Sequence, residues 1–179
     1  MADLNTDRLL LRRWQDSDLE PWAAMNADPE VRKHLGPALT REQSDASVGR
    51  FLAEFDRRDH GWWAVEVRAT GDFIGFAGLD EVEDDTPFDG VEIGWRLARP
   101  AWGQGYATEA ARAVLAYGFD TLGLPEILAV TTATNFRSQA VMRRIGMTRA
   151  PEHDFDDLTA PKGPLRPNVV YRKTPPVRP

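Results

Sequence analysis

The sequence predicts one α+β domain, and three observations carry that prediction. Between Trp63 and Leu97, two segments alternate apolar and polar residues on either side of an apolar strand at 73–79, the pattern of an antiparallel meander. From Ala107 the period becomes helical, and a short apolar run at 127–130 follows, so a strand–helix–strand crossover succeeds the meander. The 179 residues suit a single domain that buries its own core, expected over about 6–173, with 174–179 a frayed tail.

Each element has a local reason. Leu9-Leu10-Leu11 between arginines reads as an opening strand. Asp16-Ser17-Asp18 offers an N-cap to a helix carrying Leu19, Trp22, Ala23 and Met25. Asp28-Pro29-Glu30 starts a short second helix with proline in its first turn. Thr40 with Gln43 forms a capping-box pattern before a helix whose apolar face is Val48, Phe51, Leu52 and Phe55. Trp63, Val65 and Val67 alternate, Thr70-Gly71-Asp72 turns the chain, and 73–79 return as a second strand. The acidic stretch 80–90 reads as a loop broken by Pro87 and Gly90. Val91, Ile93, Trp95 and Leu97 form the next strand, with Glu92, Gly94 and Arg96 on its other face. A helix follows with Ala107, Ala110, Ala111, Val114, Leu115, Gly118 and Leu122 in one stripe, and Gly123 ends it. Asn135 can cap a last helix with Phe136, Val141, Met142 and Ile145 inside, stopped by Gly146, and Val169-Val170-Tyr171 is the final strand.

Composition narrows the chemistry. The absence of cysteine excludes disulfides, zinc–thiolate sites and a cysteine nucleophile. His34, His60 and His153 lie far apart, so no metal site is expected. The net charge of −6 argues against non-specific nucleic-acid or membrane-surface binding. That charge is uneven: residues 1–90 hold 10 basic and 20 acidic side chains, a net −10, and residues 91–179 hold 12 and 8, a net +4. Neither a signal-peptide pattern nor an apolar run of bilayer length is present, so a cytoplasmic location is expected.

The stretch Leu97-Ala98-Arg99-Pro100-Ala101-Trp102-Gly103-Gln104-Gly105-Tyr106-Ala107-Thr108-Glu109 carries the chemistry. A strand ends, two glycines follow at i and i+2, and a helix of small residues begins. Glycines let a ligand approach the backbone, and the first N–H groups of a helix form an anion site. Gly-x-Gly alone also suits a plain strand-to-helix loop. The stretch is neither a Walker A loop nor a good dinucleotide-binding fingerprint, since it lacks the following Lys-Ser/Thr and the third glycine.

The segment resembles the acyl-CoA pyrophosphate loop, Gln/Arg-x-x-Gly-x-Gly/Ala, of the GNAT superfamily of N-acetyltransferases. It is most similar to the branch typified by ribosomal-protein N-terminal-alanine acetyltransferases (RimJ/RimL-type). Gly103 and Gly105 fill the glycine positions, and Pro100 stands where Gln or Arg is usual. Further segments resemble the same family in order from about Thr6 to Tyr171: Leu9-Leu10-Leu11-Arg12, Asp28-Pro29-Glu30-Val31, Ile74-Gly75, Glu92-Ile93-Gly94-Trp95, Asn135-Phe136-Arg137-Ser138 and Arg144-Ile145-Gly146-Met147.

The resemblance implies a mixed, mostly antiparallel twisted sheet of about six or seven strands flanked by about four helices. That sheet would splay between the family's fourth and fifth strands. The implied activity is acetyl transfer from acetyl-CoA, without a metal, to an amine in a ternary complex. A protein N-terminus and a small amine, cationic or neutral, both remain open as acceptor, as does the oligomeric state; no nucleic-acid or membrane partner is expected. A non-catalytic acyl-CoA-binding regulatory module is the alternative, and a nucleotide-binding domain a further one.

Under this resemblance the main chain near Trp95, Arg96 and Leu97 would pair with pantetheine. The N–H groups of Gly103, Gln104, Gly105, Tyr106, Ala107 and Thr108 would hold the pyrophosphate. Glu92 is the candidate general base, against a solvated glutamate or an ion pair with Arg96. Ser138 is a candidate for hydrogen-bonding the CoA sulfur, against a role in the first helical turn. Asn135 would both cap its helix and touch the cofactor. Tyr106 and Glu109 read as structural, and Arg143 and Arg144 as a solvated face that can reach a CoA phosphate. His153 is a minor base candidate. His34 and His60 read as surface or turn residues. Trp22, Trp62, Trp63 and Phe88 read as core or as the wall of an acceptor pocket.

Overall fold

The computed structural model describes residues 2–58, 60–82 and 86–175. The element order is β1 (Leu4–Asn5), β2 (Leu9–Arg12), α1 (Leu19–Ala27), α2 (Pro29–Arg32), α3 (Arg41–Arg57), β3 (Trp62–Val67), β4 (Asp72–Glu81), β5 (Val91–Leu97), α4 (Tyr106–Ala116), β6 (Ile127–Thr132), α5 (Phe136–Arg144), β7 (Thr148–Arg149), β8 (Phe155–Asp156) and β9 (Pro167–Lys173). Among the described residues one sheet runs β1-β2-β3-β4-β5-β6-β9-β7, with β8 also paired to β9. Every pairing is antiparallel except β5 with β6, the crossover through α4. This is the α+β fold of the GNAT type. The extra strands beyond the six or seven expected are short pairings at the sheet edges, β1, β7 and β8, which two residues each cannot announce by periodicity.

The strand alternation sorts the core into two layers. Trp62 and Phe76 turn to the face covered by α1 and α3, where they join Trp14, Trp22 and Phe51 in an aromatic cluster with centroids 5.0–6.1 Å apart. Trp63 turns to the opposite face and stacks edge-on against Tyr117, which follows α4. Trp22 and Trp63 are core residues. Gly78 is where two backbones meet: a Cβ there would lie 2.0 Å from the carbonyl oxygen of Gly61.

Capping follows the expected residues in two of three cases. Thr40 Oγ1 accepts from the Gln43 N–H, and Gln43 Oε1 accepts from the Thr40 N–H. Asn135 accepts from the Ser138 N–H at 3.2 Å. The third case is corrected. Asp16, Ser17 and Asp18 form a 3-10 turn, and the Asp18 side chain makes no cap to α1. Its buried carboxylate receives two hydrogen bonds from Arg12, at 2.8 and 2.9 Å, and one from the Gln15 N–H. The Arg12 guanidinium, also bonded to Glu66 at 2.7 Å, therefore ties α1 to the sheet.

Two further expectations change. Asp80 and Glu81 belong to β4, not to a loop, because the β4–β5 ladder runs through Glu81↔Val91; residues 83–85 of the expected loop lie outside the described residues. The helix stripe that reaches Leu122 is α4 to Ala116 and then a wider π turn, Tyr117–Thr121, before Gly123 at φ 66°. His34 lies in the turn after α2, as read, and its Nδ1 lies 3.2 Å from Thr132 Oγ1 at the end of β6. Of the expected tail at 174–179, residues 176–179 lie outside the described residues.

Candidate active site

The site begins with how β5 is hydrogen-bonded. The Ala98 N–H donates to Ile74 and the Val82 N–H to Gly90, at the two ends of the β4–β5 ladder. Between them Phe76 faces Arg96, Gly78 faces Gly94 and Asp80 faces Glu92. Antiparallel pairs alternate every second residue. The main-chain groups of Glu92, Gly94 and Arg96 thus turn to β4, and those of Ile93, Trp95 and Leu97 turn to β6. Among the described residues, β6 meets β5 at one registered pair, Glu92↔Leu128. Beyond it the two parallel strands separate, and the main chain of Trp95 and Leu97 lines a gap without a strand partner. The alternation narrows the expected pantetheine contacts to Trp95 and Leu97, since Arg96 spends its main-chain bonds on β4.

The gap leads to the glycine loop. Gly103 and Gly105 have φ of 77° and 81°, the left-handed region that glycine enters at little cost. Gly105 caps α4 with no side-chain cap bond, which leaves the first N–H groups of that helix open toward solvent. Arg8 holds the loop from β2's end: its Nη1 donates to the Gln104 carbonyl at 2.9 Å and its guanidinium lies 4.7 Å over the Tyr106 ring. Glu109 receives Arg8 Nε at 2.7 Å, the Arg8 N–H at 2.9 Å and Thr6 Oγ1 at 2.6 Å. Burial alone would raise the Glu109 carboxyl, but the hydrogen bonds from Thr6 and Arg8 outweigh it and hold the group below the usual glutamate range. The Tyr106 ring and the Glu109 carboxylate thus both contact the segment before β2. Beside the loop lies an open depression of about 710 Å³ whose lining includes Arg8, Gly105, Thr108, Arg112 and Arg144.

The second lip is β6 and the start of α5. Asn135 Nδ2 donates to Thr131 Oγ1 at 2.9 Å and to Ser138 Oγ at 3.1 Å. The serine oxygen is thus used as an acceptor and its O–H remains free to donate. Arg137 reaches back across the mouth, 4.4 Å from the Trp102 ring, while Trp102 Nε1 donates to the Leu97 carbonyl at 2.8 Å. Arg143 instead donates to the Tyr171 hydroxyl at 3.1 Å.

On the face of the sheet covered by α1 and α3, the vertex of the gap is acidic. Glu92 and Asp80 are directly opposed on one face. Asp80 receives Trp62 Nε1 at 3.0 Å and Arg58 at 3.3 Å, yet burial pushes its carboxyl above the usual aspartate range. The Trp62 ring closes on Gly94, where a Cβ would come within 2.9 Å of it. No ion pair joins Glu92 to Arg96 among the described residues; Arg96 Nη1 donates instead to Asn26 Oδ1 at 2.8 Å. His153 tilts against Phe88 at 5.2 Å, in the segment after α5. Among the described residues no group of three metal-ligating side chains occurs and no helix is long and apolar enough to cross a membrane.

Residues 8–148 match the family model of the acetyltransferase (GNAT) domain. The chain belongs to the GNAT acetyltransferases. It is 33% identical over 178 residues to an FsC-acetyl coenzyme A-N(2)-transacetylase of Aspergillus fumigatus, covering 96% of this chain and 75% of that one. A solved acetyltransferase of Agrobacterium tumefaciens superposes with TM-score 0.79 at 29% identity, over 98% of this chain and 95% of that one. A ribosomal L7/L12 acetyltransferase, RimL, solved with coenzyme A, superposes with TM-score 0.78 over 97% and 98% at 14% identity, which shows the shared fold. GNAT acetyltransferases use acetyl-CoA. The residues present fit that cosubstrate: an unpaired strand edge suits an amide-rich arm, and an open helix N-terminus behind two left-handed glycines suits a pyrophosphate.

Sequence reasoning missed several side chains of this site. Arg8 and Thr6 are remote in sequence from the loop they hold. Asn26 and Arg32 lie in helices read for their caps and apolar positions, whereas Trp62 is among the residues read as core or pocket wall. Asp80 is read as loop, because the apolar run of 73–79 ends before it and local pattern does not carry the strand on to Glu81.

Proposed function

We propose that this GNAT acetyltransferase moves an acetyl group from acetyl-CoA to a primary amine by direct attack in a ternary complex. The observation that carries the reading is the gap beyond Glu92↔Leu128, which runs from an acidic vertex to the glycine loop. The main chain of Trp95 and Leu97 holds the pantetheine arm. The N–H groups at 103–108 hold the pyrophosphate, and Asn135 keeps the facing lip in place.

Glu92 takes a proton from the amine, directly or through water. The amine nitrogen then bonds to the acetyl carbon, the carbon–sulfur bond breaks, and the proton that the nitrogen sheds on becoming an amide passes to the thiolate, which the Ser138 hydroxyl stabilises by a hydrogen bond. A cysteine acyl-enzyme is excluded by the sequence. The paired carboxylates Asp80 and Glu92 support an amine that arrives protonated. The loop and the Asn135-to-Ser138 segment support kinship with the ribosomal-protein-acetylating branch, while fold and cofactor site leave the acceptor open.

The test is thiol release from acetyl-CoA across a panel of amines, read beside CoA affinity by calorimetry. Turnover with at least one amine supports the reading. Tight CoA binding with no turnover on any amine assigns the chain instead to a non-catalytic acyl-CoA-binding module.

A further inference from the structure

One charged group in the acceptor-side wall has no ionic partner. Arg96 packs its guanidinium 5.2 Å from the Trp22 ring and 5.3 Å from the Phe76 ring. One of its hydrogen bonds goes to the neutral Asn26 side chain, and its Nε is buried with no acceptor. Arg32, the nearest cation, is itself buried and donates only to the carbonyls of Pro37 and Leu35, at 2.9 and 3.0 Å. Among the described residues neither arginine forms an ion pair, although the chain has 28 acidic side chains and pairs most of its other buried or half-buried arginines. Burial, with Arg32 adding to it, lowers the Arg96 guanidinium from its ordinary value, and burial lowers Arg32 as well. Arginine nevertheless stays protonated in proteins. Two uncompensated cations are costly in a half-buried wall unless an anion visits.

The placement of this group is directional. Arg96, Gly94 and Glu92 share one face of β5, in the same wall as the gap. The acidic end is Glu92 with Asp80, the middle is the Trp62 ring closed on Gly94, and the cationic end is Arg96. Four residues of strand separate the ends, about 13 Å between Cα atoms at ~3.3 Å per residue. The glutamate and arginine side chains leave the strand on the same face, so one acceptor can be addressed from both ends.

We propose that the acceptor is an amino carboxylate: its amine is placed at Glu92 and its carboxylate docks on the Arg96 guanidinium, with Arg32 reinforcing the positive end. This rests on the acetyl-transfer reading above and names the substrate class of that site. A guanidinium with free donors takes a carboxylate in a fork, and the aromatic rings that flank it hold the fork in place. The carboxylate supplies the ion pair that the folded protein lacks.

The experiment compares acids with their carboxamides in the CoA-saturated protein. CoA is present so that its phosphates occupy the glycine loop, which would otherwise bind the probe. Glycine, β-alanine, 4-aminobutyrate and L-lysine are each paired with the amide in thiol-release assays. Melting temperature is followed with 4-aminobutyrate and with its amide. The expected result is a kcat/KM at least tenfold higher for the best acid than for its amide, and a rise in melting temperature with the acid alone. In Arg96→Met the acid-to-amide ratio falls toward one through a higher KM for the acid, and Arg96→Lys restores part of it. A purely structural arginine would lower stability without moving that ratio. Amides used as well as acids, or a ratio unchanged in folded Arg96→Met, overturn the proposal. If no amine is acetylated, the transfer reading fails, and the melting measurement still decides the anion site: no shift with the acid overturns it.

Discussion

The glycine loop offers the sharpest single test, Gly105→Glu. Gly105 sits at φ 81° at the start of α4, and a Cβ there would stand 3.4 Å from Arg8 Nη2. Any side chain at this φ costs about 1 kcal/mol, because the left-handed region crowds Cβ against the following carbonyl. Gly105→Ala carries that strain and no charge, so it serves as the reference. The glutamate adds a negative charge roughly 5 Å from the bound pyrophosphate. At an effective dielectric of about 20, one pair of unit charges at that distance repels by about 3 kcal/mol. Arg8 offers little relief, because it already serves Glu109 and Gln104 and would have to leave them. Each 1.4 kcal/mol is about tenfold in affinity, so Gly105→Glu should bind CoA about 100-fold more weakly than Gly105→Ala. Calorimetric titration with CoA reads the effect, and thermal melts of the free proteins confirm that both variants fold. A Kd for Gly105→Glu within about threefold of Gly105→Ala would refute the pyrophosphate assignment.

Three other outcomes follow from the same structure. Glu92→Gln should lower kcat at neutral pH by about 10²–10⁴-fold with CoA affinity nearly unchanged; near-normal turnover removes Glu92 as the base. Asp18→Ala leaves buried Arg12 with only Glu66, and should cost about 3–5 kcal/mol in urea unfolding, where a loss under 1 kcal/mol would show that this pair does not anchor α1. Glu109 has a carboxyl held below its ordinary 4.5, so its contribution to stability is complete above that pH and is lost as pH falls through the depressed folded value. The stability difference between wild type and Glu109→Gln should shrink on acidification below about pH 4.5, and a pH-independent difference would exclude the linkage.

Much of the fold is local and so readable from the chain. The alternation at Trp63, Val65 and Val67 and again at Val91, Ile93, Trp95 and Leu97 specifies strands, because side chains on a pleat change face at every residue. Thr40 with Gln43, and Asn135 with Ser138, place helix starts, because cap bonds close within three residues. What failed locally failed for tertiary reasons. Asp18 looked like a cap for α1 and became the buried partner of Arg12, since a buried guanidinium needs a carboxylate beside it. Asp80 looked like part of an acidic loop, and it is in register with Glu92 because β5 pairs with β4 over its whole length.

The uneven charge of the chain also acquires a location. The −10 of residues 1–90 includes Asp80 at the vertex of the gap, and the same half contributes Arg32, buried and without a carboxylate. Net charge by half is therefore a poor guide to the acceptor: position along β5 separates an acidic end from a cationic end within a few residues.

By itself the sequence determined the strand and helix periods, the two glycines before α4, the cap at Asn135 and the exclusion of cysteine chemistry. Each of these is a matter of residue type and near neighbours. Only the tertiary structure decided that β5 and β6 pair once and then part, that Trp95 and Leu97 and not Arg96 turn their main chain into the opening, and that Arg8 crosses from β2 to hold the loop. Those facts depend on registers between strands far apart in the chain. A register is set by the packing of both faces at once, and no local pattern contains it.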